Sequence, residues 1–211
     1  MRKFTIYNLQ FTIKLIFLFF TFYFLLFTFP YRASAVDDIG QSKIYPTHPL
    51  YFLKSVKEIL ELKFAPTSEI KAIRYLEFSQ RRIREAKSLV EAKRFEMIAP
   101  TLEHYLFNLQ KVMGLMDFKD EAKLRQLSET VSTHVQVLNN LYSKIESQPG
   151  QRAIRTTLFK LSQLDNPPKN LSKFQGEICD FLVKEASSSA LNEVEIAVLK
   201  ERASLCLQDL K

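Results

Sequence analysis

Side chains able to do chemistry are few in this chain, and they lie far apart. Cys179 and Cys206 are the two cysteines of the 211 residues. Both fall on predicted helices, and two readings stay open for them. One is a disulfide across a helical hairpin, as an oxidising compartment allows. The other is a pair of buried apolar thiols, because the two positions are staggered about a turn expected near residue 189 and bridging needs Cα atoms within about 7 Å. Metal ligation is the weakest reading, since neither has a His or Cys at ligand spacing. The three histidines, His48, His104 and His134, are scattered. His134 occupies an apolar seam position, where a packed ring with one satisfied nitrogen is the plain reading and a pH-responsive group the sharper one. His104 follows Glu103 with no second histidine at metalloprotease spacing. Met97, Met113 and Met116 read as core rather than as soft copper ligands. Asn170-Leu171-Ser172 is a glycosylation triplet only in a eukaryotic secretory route. Four glycines leave no phosphate-binding loop, nucleophile elbow or dinucleotide fingerprint. No catalytic, cofactor-binding or metal-binding residue is assigned, and the chain reads as non-enzymatic.

The elements that position these residues are helices. Pro49 fits a first helical position, and Leu53, Val56 and Leu60 form one apolar stripe running to Phe64. Thr67-Ser68 restarts the chain with an N-cap. Ala72, Leu76, Ser79, Ile83, Ala86 and Val90 then repeat at spacings of four and three, as do Ile98, Leu102, Tyr105, Leu109, Val112 and Met116. Pro100 belongs in the first turn of that third helix, and Gly114 ends or loosens it. Leu124, Leu127, Val131, His134, Leu138, Leu141 and Ile145 make the cleanest seam, an a/d pattern over three heptads. Pro149-Gly150 breaks it, and a shorter helix follows to Gln163. Asp165-Asn166-Pro167-Pro168 is a loop. Helices over about 171–187 and 192–210 complete the chain, the last opened by an Asn192/Glu195 capping box. The fold class is all-α, an antiparallel bundle of six to seven helices after an N-terminal signal segment. Breaks at hairpin intervals favour a monomer over a coiled-coil dimer.

Placement comes from the N-terminus. Residues 1–35 carry Arg2, Lys3, Lys14 and Arg32 with no acid, and Leu15 to Phe29 is apolar but for Thr21 and Thr28. Pro30 and Ala33-Ser34-Ala35 follow. This is the layout of a secretory signal peptide cleaved after Ala35. The alternative is an uncleaved anchor spanning residues 11–29, with the body outside in either case. The whole chain has 30 bases against 23 acids, formally +7, but without that segment the balance is 26 against 23. No nucleic-acid footprint remains. Residues 36–48 read as a polar tether, 49–116 as a three-helix region, and 117–211 as a helical region packed with or beside it.

Pro46-Thr47-His48-Pro49-Leu50-Tyr51-Phe52-Leu53-Lys54 resembles the opening motif of the bacterial family catalogued as domain of unknown function 5667. Lys71, Ala72, Leu76, Glu77, Arg81, Arg82 and Glu85 are similar to its second-helix pattern, and Tyr105 to its third helix. The resemblance covers roughly residues 44–112, with a faint echo at Pro149-Gly150. Pro100 departs from the family's uninterrupted third helix. The resemblance implies an extracytoplasmic helical module without assigned activity, and it marks Tyr51, Lys54, Arg82 and Glu85 as structural candidates.

Helical spacing sets Glu77, Arg81 and Arg84 on a charged outer face of the second helix, and Arg82 within an apolar arc. Arg82 is therefore expected to lay its stem on apolar side chains and to meet a carboxylate of Glu85, Glu58, Glu61 or Glu103. Arg81 is expected to be a surface charge. The functional reading is an exported, non-catalytic helical module binding a protein or cell-envelope component, contacting membrane only through an uncleaved N-terminal segment. Its rival is an extracytoplasmic small-molecule or metal sensor. The first requires an exposed apolar patch; the second requires polar groups converging in an interior pocket.

Overall fold

The computed structural model describes residues 39–116, 119–163, 172–188 and 191–209. Among these the chain is all-α, with seven α-helices and no strand: α1 (Tyr51–Lys63), α2 (Ser68–Glu91), α3 (Ile98–Leu115), α4 (Glu121–Lys144), α5 (Gln148–Ser162), α6 (Ser172–Glu185) and α7 (Glu193–Asp209). Residues 1–35, read above as a signal segment ending at Ala35, the expected loop at 165–168 and the start of the Asn170–Ser172 triplet lie outside the described residues. Ile39–Lys211 forms one compact unit.

Local chemistry starts the helices. Thr67 caps α2 by accepting a hydrogen bond from the Ile70 N–H at 3.2 Å, and Asp120 caps α4 by accepting from Ala122 and Lys123. Asn192 and Glu195 form the reciprocal box, at 2.8 and 3.3 Å. Pro49 stands ahead of α1 rather than in its first turn, since the helix begins at Tyr51 behind Leu50. The break expected at Pro149-Gly150 falls between Lys144 and Gln148, and Pro149 sits in the first turn of α5, where it gives up no intrahelical donor. Gly150 also lets that turn approach Ile145: a Cβ there would lie 2.9 Å from the Ile145 Cγ2. Gly114 lies inside α3, which continues to Leu115. The turn after α2 instead uses Lys93 at φ 55°, with the Arg94 N–H donating back to the Leu89 carbonyl at 2.8 Å.

The core is built from periodic faces. α2 packs chiefly on α3, α3 on α5, α4 on α6, and α6 on α7. All seven positions of the α4 seam, Leu124 through Ile145, are buried. So are Ile83, Leu102, Tyr105, Ile154 and Leu158, each apolar side chain contributing about 1.5–3 kcal/mol by leaving water. Residues 39–48 are not a free tether. Ile39 joins the core, and the Ser42 N–H donates to the Ser88 Oγ at 2.9 Å. Cys179 on α6 and Cys206 on α7 form a disulfide with Cα atoms 5.7 Å apart, closing a 27-residue separation. A loop of that size adds about 3–4 kcal/mol in the chain-entropy picture.

One stripe faces the wrong way. Leu53, Val56 and Leu60 of α1 are exposed, and α1 buries no residue.

Candidate functional site: an ion-clamped helix with an outward apolar face

α1 is held by its polar side. Tyr51, Lys54, Glu58 and Glu61 recur at spacings of three and four, so they share one face, and that face meets α2, the one helix α1 touches among the described residues. There Arg82 bonds Glu58 at 2.5 Å and Glu85 at 3.0 Å, and donates a further hydrogen bond to the Tyr51 hydroxyl. Tyr51 donates to Glu85 at 3.2 Å. Lys54 reaches the other Glu85 oxygen at 2.5 Å, and also donates to the Ser42 Oγ and the Ile44 carbonyl at 3.2 Å. The four structural candidates, Tyr51, Lys54, Arg82 and Glu85, thus converge into one network joining α1, α2 and residues 42–44.

Glu85 is the network's centre, its side chain 0% exposed. Burial pushes its carboxyl up, while Arg82 and Lys54 pull it back down. Burial likewise pushes the Lys54 ammonium down against the attraction of Glu85. The Tyr51 hydroxyl is driven above its ordinary value by burial and by Glu85. Three proton-bearing groups this close would suit acid–base chemistry if a substrate could reach them. Here each is consumed by its neighbours, and what the cluster does physically is hold α1 in one orientation.

Arg82 meets Glu58 and Glu85, two of its four expected carboxylates. Arg81 departs from expectation. It pairs with Glu61 at 2.9 Å and lies 4.8 Å from the Phe78 ring centroid. Helical spacing put it on an outer face of α2, and α1 covers that face. The second helix's periodicity could not reveal this, because the covering groups belong to another helix.

The reverse of α1 is apolar and open. Phe52, Ile59 and Phe64 are 62%, 63% and 76% exposed, and Leu50, Leu53, Val56 and Leu60 are exposed beside them. A helix ordinarily turns such a stripe to the core.

The remaining candidates lie elsewhere. His134 is fully buried, as a seam residue should be, but neither ring nitrogen has a hydrogen-bond partner, so the expected satisfied nitrogen is absent. Its ring stands edge-on to Tyr105 at 5.5 Å, and the Tyr105 hydroxyl is also unpartnered. Burial, with Arg84 adding to it, holds the imidazole down at about 3. His104 is exposed, and the His48 Nδ1 accepts from the Leu50 N–H. Met97, Met113 and Met116 pack against the core. A second buried carboxylate, Glu185, was not singled out by the sequence; Arg155 pairs with it at 2.8 Å and Tyr142 donates to it. A cleft of about 430 Å³ between α3 and α5 is lined by Glu103, Leu106, Arg152, Thr156 and Lys160, and its charged residues are exposed rather than turned into an interior pocket. Among the described residues no three His, Cys, Asp or Glu side chains converge as a metal site, and no helix is long and apolar enough to cross a membrane.

Fold and site together define an all-helical module whose first helix is clamped by ion pairs and presents apolar side chains outward. The family model described as Domain of unknown function (DUF5667) matches residues 43–148, half of the chain, and the chain belongs to that family. The match runs well past residue 112, where the motif resemblance faded, and takes in the whole of α4. No curated protein and no solved structure matches the chain.

Proposed function

We propose that this is an exported, non-catalytic binding module whose outward α1 face engages a protein or a cell-envelope component. The observation that carries this reading is the orientation of α1. Lys54, Glu58 and Glu61 are spent on α2 while Phe52, Val56, Ile59 and Phe64 stand in water. Fixing a helix that way round serves a contact beyond the bundle, because burying the apolar face would otherwise be the favourable arrangement.

Site-directed photo-cross-linking in producing cells tests it. A benzophenone side chain at Ile59 should give adducts, whether to protein or to lipid. The same group at Phe107, an exposed aromatic on α3, should give far fewer. Equal yields at both positions, or none at either, would overturn the reading.

A further inference from the structure

We propose that the occupant of the α1 face is an anionic membrane surface, with α1 lying in the plane of the lipid headgroups. This rests on the binding-module reading above and names the partner. Two observations select lipid. The first is charge. The exposed charged side chains of α1 are Lys57, which also lies 3.7 Å from the Glu61 carboxylate, and Lys63, whereas both its carboxylates, Glu58 and Glu61, are largely buried against Arg82 and Arg81. What α1 shows to the outside is therefore chiefly apolar and cationic, the composition of an interfacial helix drawn to acidic headgroups.

The second is shape. α1 rests on α2 alone, and its outward residues form the ridge of a single helix. The clefts by Leu106 and Lys160 lie on α3 and α5, away from α1. A ridge inserts into a headgroup layer without any matching groove, whereas a partner helix seats in a groove between elements. A second copy fits less well, because a two-fold contact sets a patch against itself and would oppose the Lys57 and Lys63 face to the same cationic face.

The chain has no tryptophan, so a single introduced one reports its own surroundings. The full chain is prepared as Ile59→Trp and as Phe107→Trp and incorporated into vesicles of equal phosphatidylglycerol and phosphatidylcholine, with and without brominated acyl chains. Comparing two positions in one chain cancels any insertion of residues 15–29. Bromolipid should quench the tryptophan at position 59 at least threefold more than the one at 107, with a blue-shifted emission. Adding Lys57→Glu and Lys63→Glu should bring the first close to the second. Equal quenching at the two positions overturns the inference. So does a blue-shifted but unquenched tryptophan at 59, which places it against a second copy or another protein. Cross-links from position 59 without bromolipid quenching would leave the binding reading standing and remove the lipid one; absence of both would remove both.

Discussion

α1 and α4 each carry an apolar stripe, and the two stripes face opposite ways. α4 turns Leu124, Leu127, Val131, Leu138 and Leu141 into the core, and its charged residues lie outside. α1 buries none of its residues and turns Lys54, Glu58 and Glu61 to α2. The difference lies in what each helix meets. α4 faces the apolar side of α6, whereas α1 faces Arg81, Arg82 and Glu85 on α2. Removing those three charges from water is tolerable only with ion partners, and α1 supplies them. A stripe is a property of one helix, and its direction is a property of the neighbour.

If that contrast is right, the two helices must respond unlike each other to truncation. Leu138→Ala in α4 leaves a cavity beneath a side chain that is 0% exposed and should cost about 2–5 kcal/mol in urea melts. A loss under about 1 kcal/mol would mean that the α4 seam is loosely packed. On the α1 side the large effect should come from a charge. Arg82→Ala leaves the buried Glu85 with Lys54 as its one remaining cation and strips Glu58 of its 2.5 Å partner, and is expected to cost about 3 kcal/mol. Arg81→Ala, whose partners are nearer water, should cost about 1 kcal/mol. Equal midpoints for the two variants would show that burial of Glu85 contributes nothing.

His134 sharpens the comparison from within α4, as the polar residue in its apolar seam. Its folded pKa lies at about 3 against an ordinary 6.5. Between those values the unfolded chain binds the proton and the folded chain does not, so stability falls as pH drops below 6.5. The slope is about 1.4 kcal/mol per pH unit, flattening near pH 3. Glu85, with its carboxyl raised, bends the profile the other way at acid pH, so the measurement is the difference between the native chain and His134→Leu. That variant should be more stable by about 1–2 kcal/mol at pH 7, through loss of two unpartnered nitrogens, and should lack the slope. An unchanged profile would mean that the imidazole takes its proton as readily in the folded chain as in the unfolded one. Smallest of all, Ile59→Ser on the open face of α1 should shift stability by less than about 0.5 kcal/mol. A cost above about 1.5 kcal/mol would mean that the face is covered within the protein.

Legibility followed the same division. The seven α4 seam positions, the Thr67 cap and the Asn192/Glu195 box were readable because each is set within a turn or two of its own helix. Arg82 was readable as an exception inside an apolar arc, and Glu85 as its neighbour. The outward turn of Leu53, Val56 and Leu60 was not, since periodicity groups residues on a face without saying which way the face points. Pairing of Cys179 with Cys206 depended on the relative stagger of two helices, which spacing along the chain leaves open. Nor could the sequence show that residues 39–48 dock, because Ile39 and Ser42 find their partners across the fold.

The ionic attachment of α1 also has a thermal signature. Helices that dock by burying hydrocarbon release it on opening, and the resulting rise in heat capacity gives their stability a maximum and a decline in the cold. α1 already shows its hydrocarbon to water, and opening its clamp would hydrate Lys54, Glu58, Arg82 and Glu85 instead. Exposure of polar surface lowers heat capacity. The joint between α1 and α2 should therefore keep its hold on cooling, while the bundle beneath it loses part of its own.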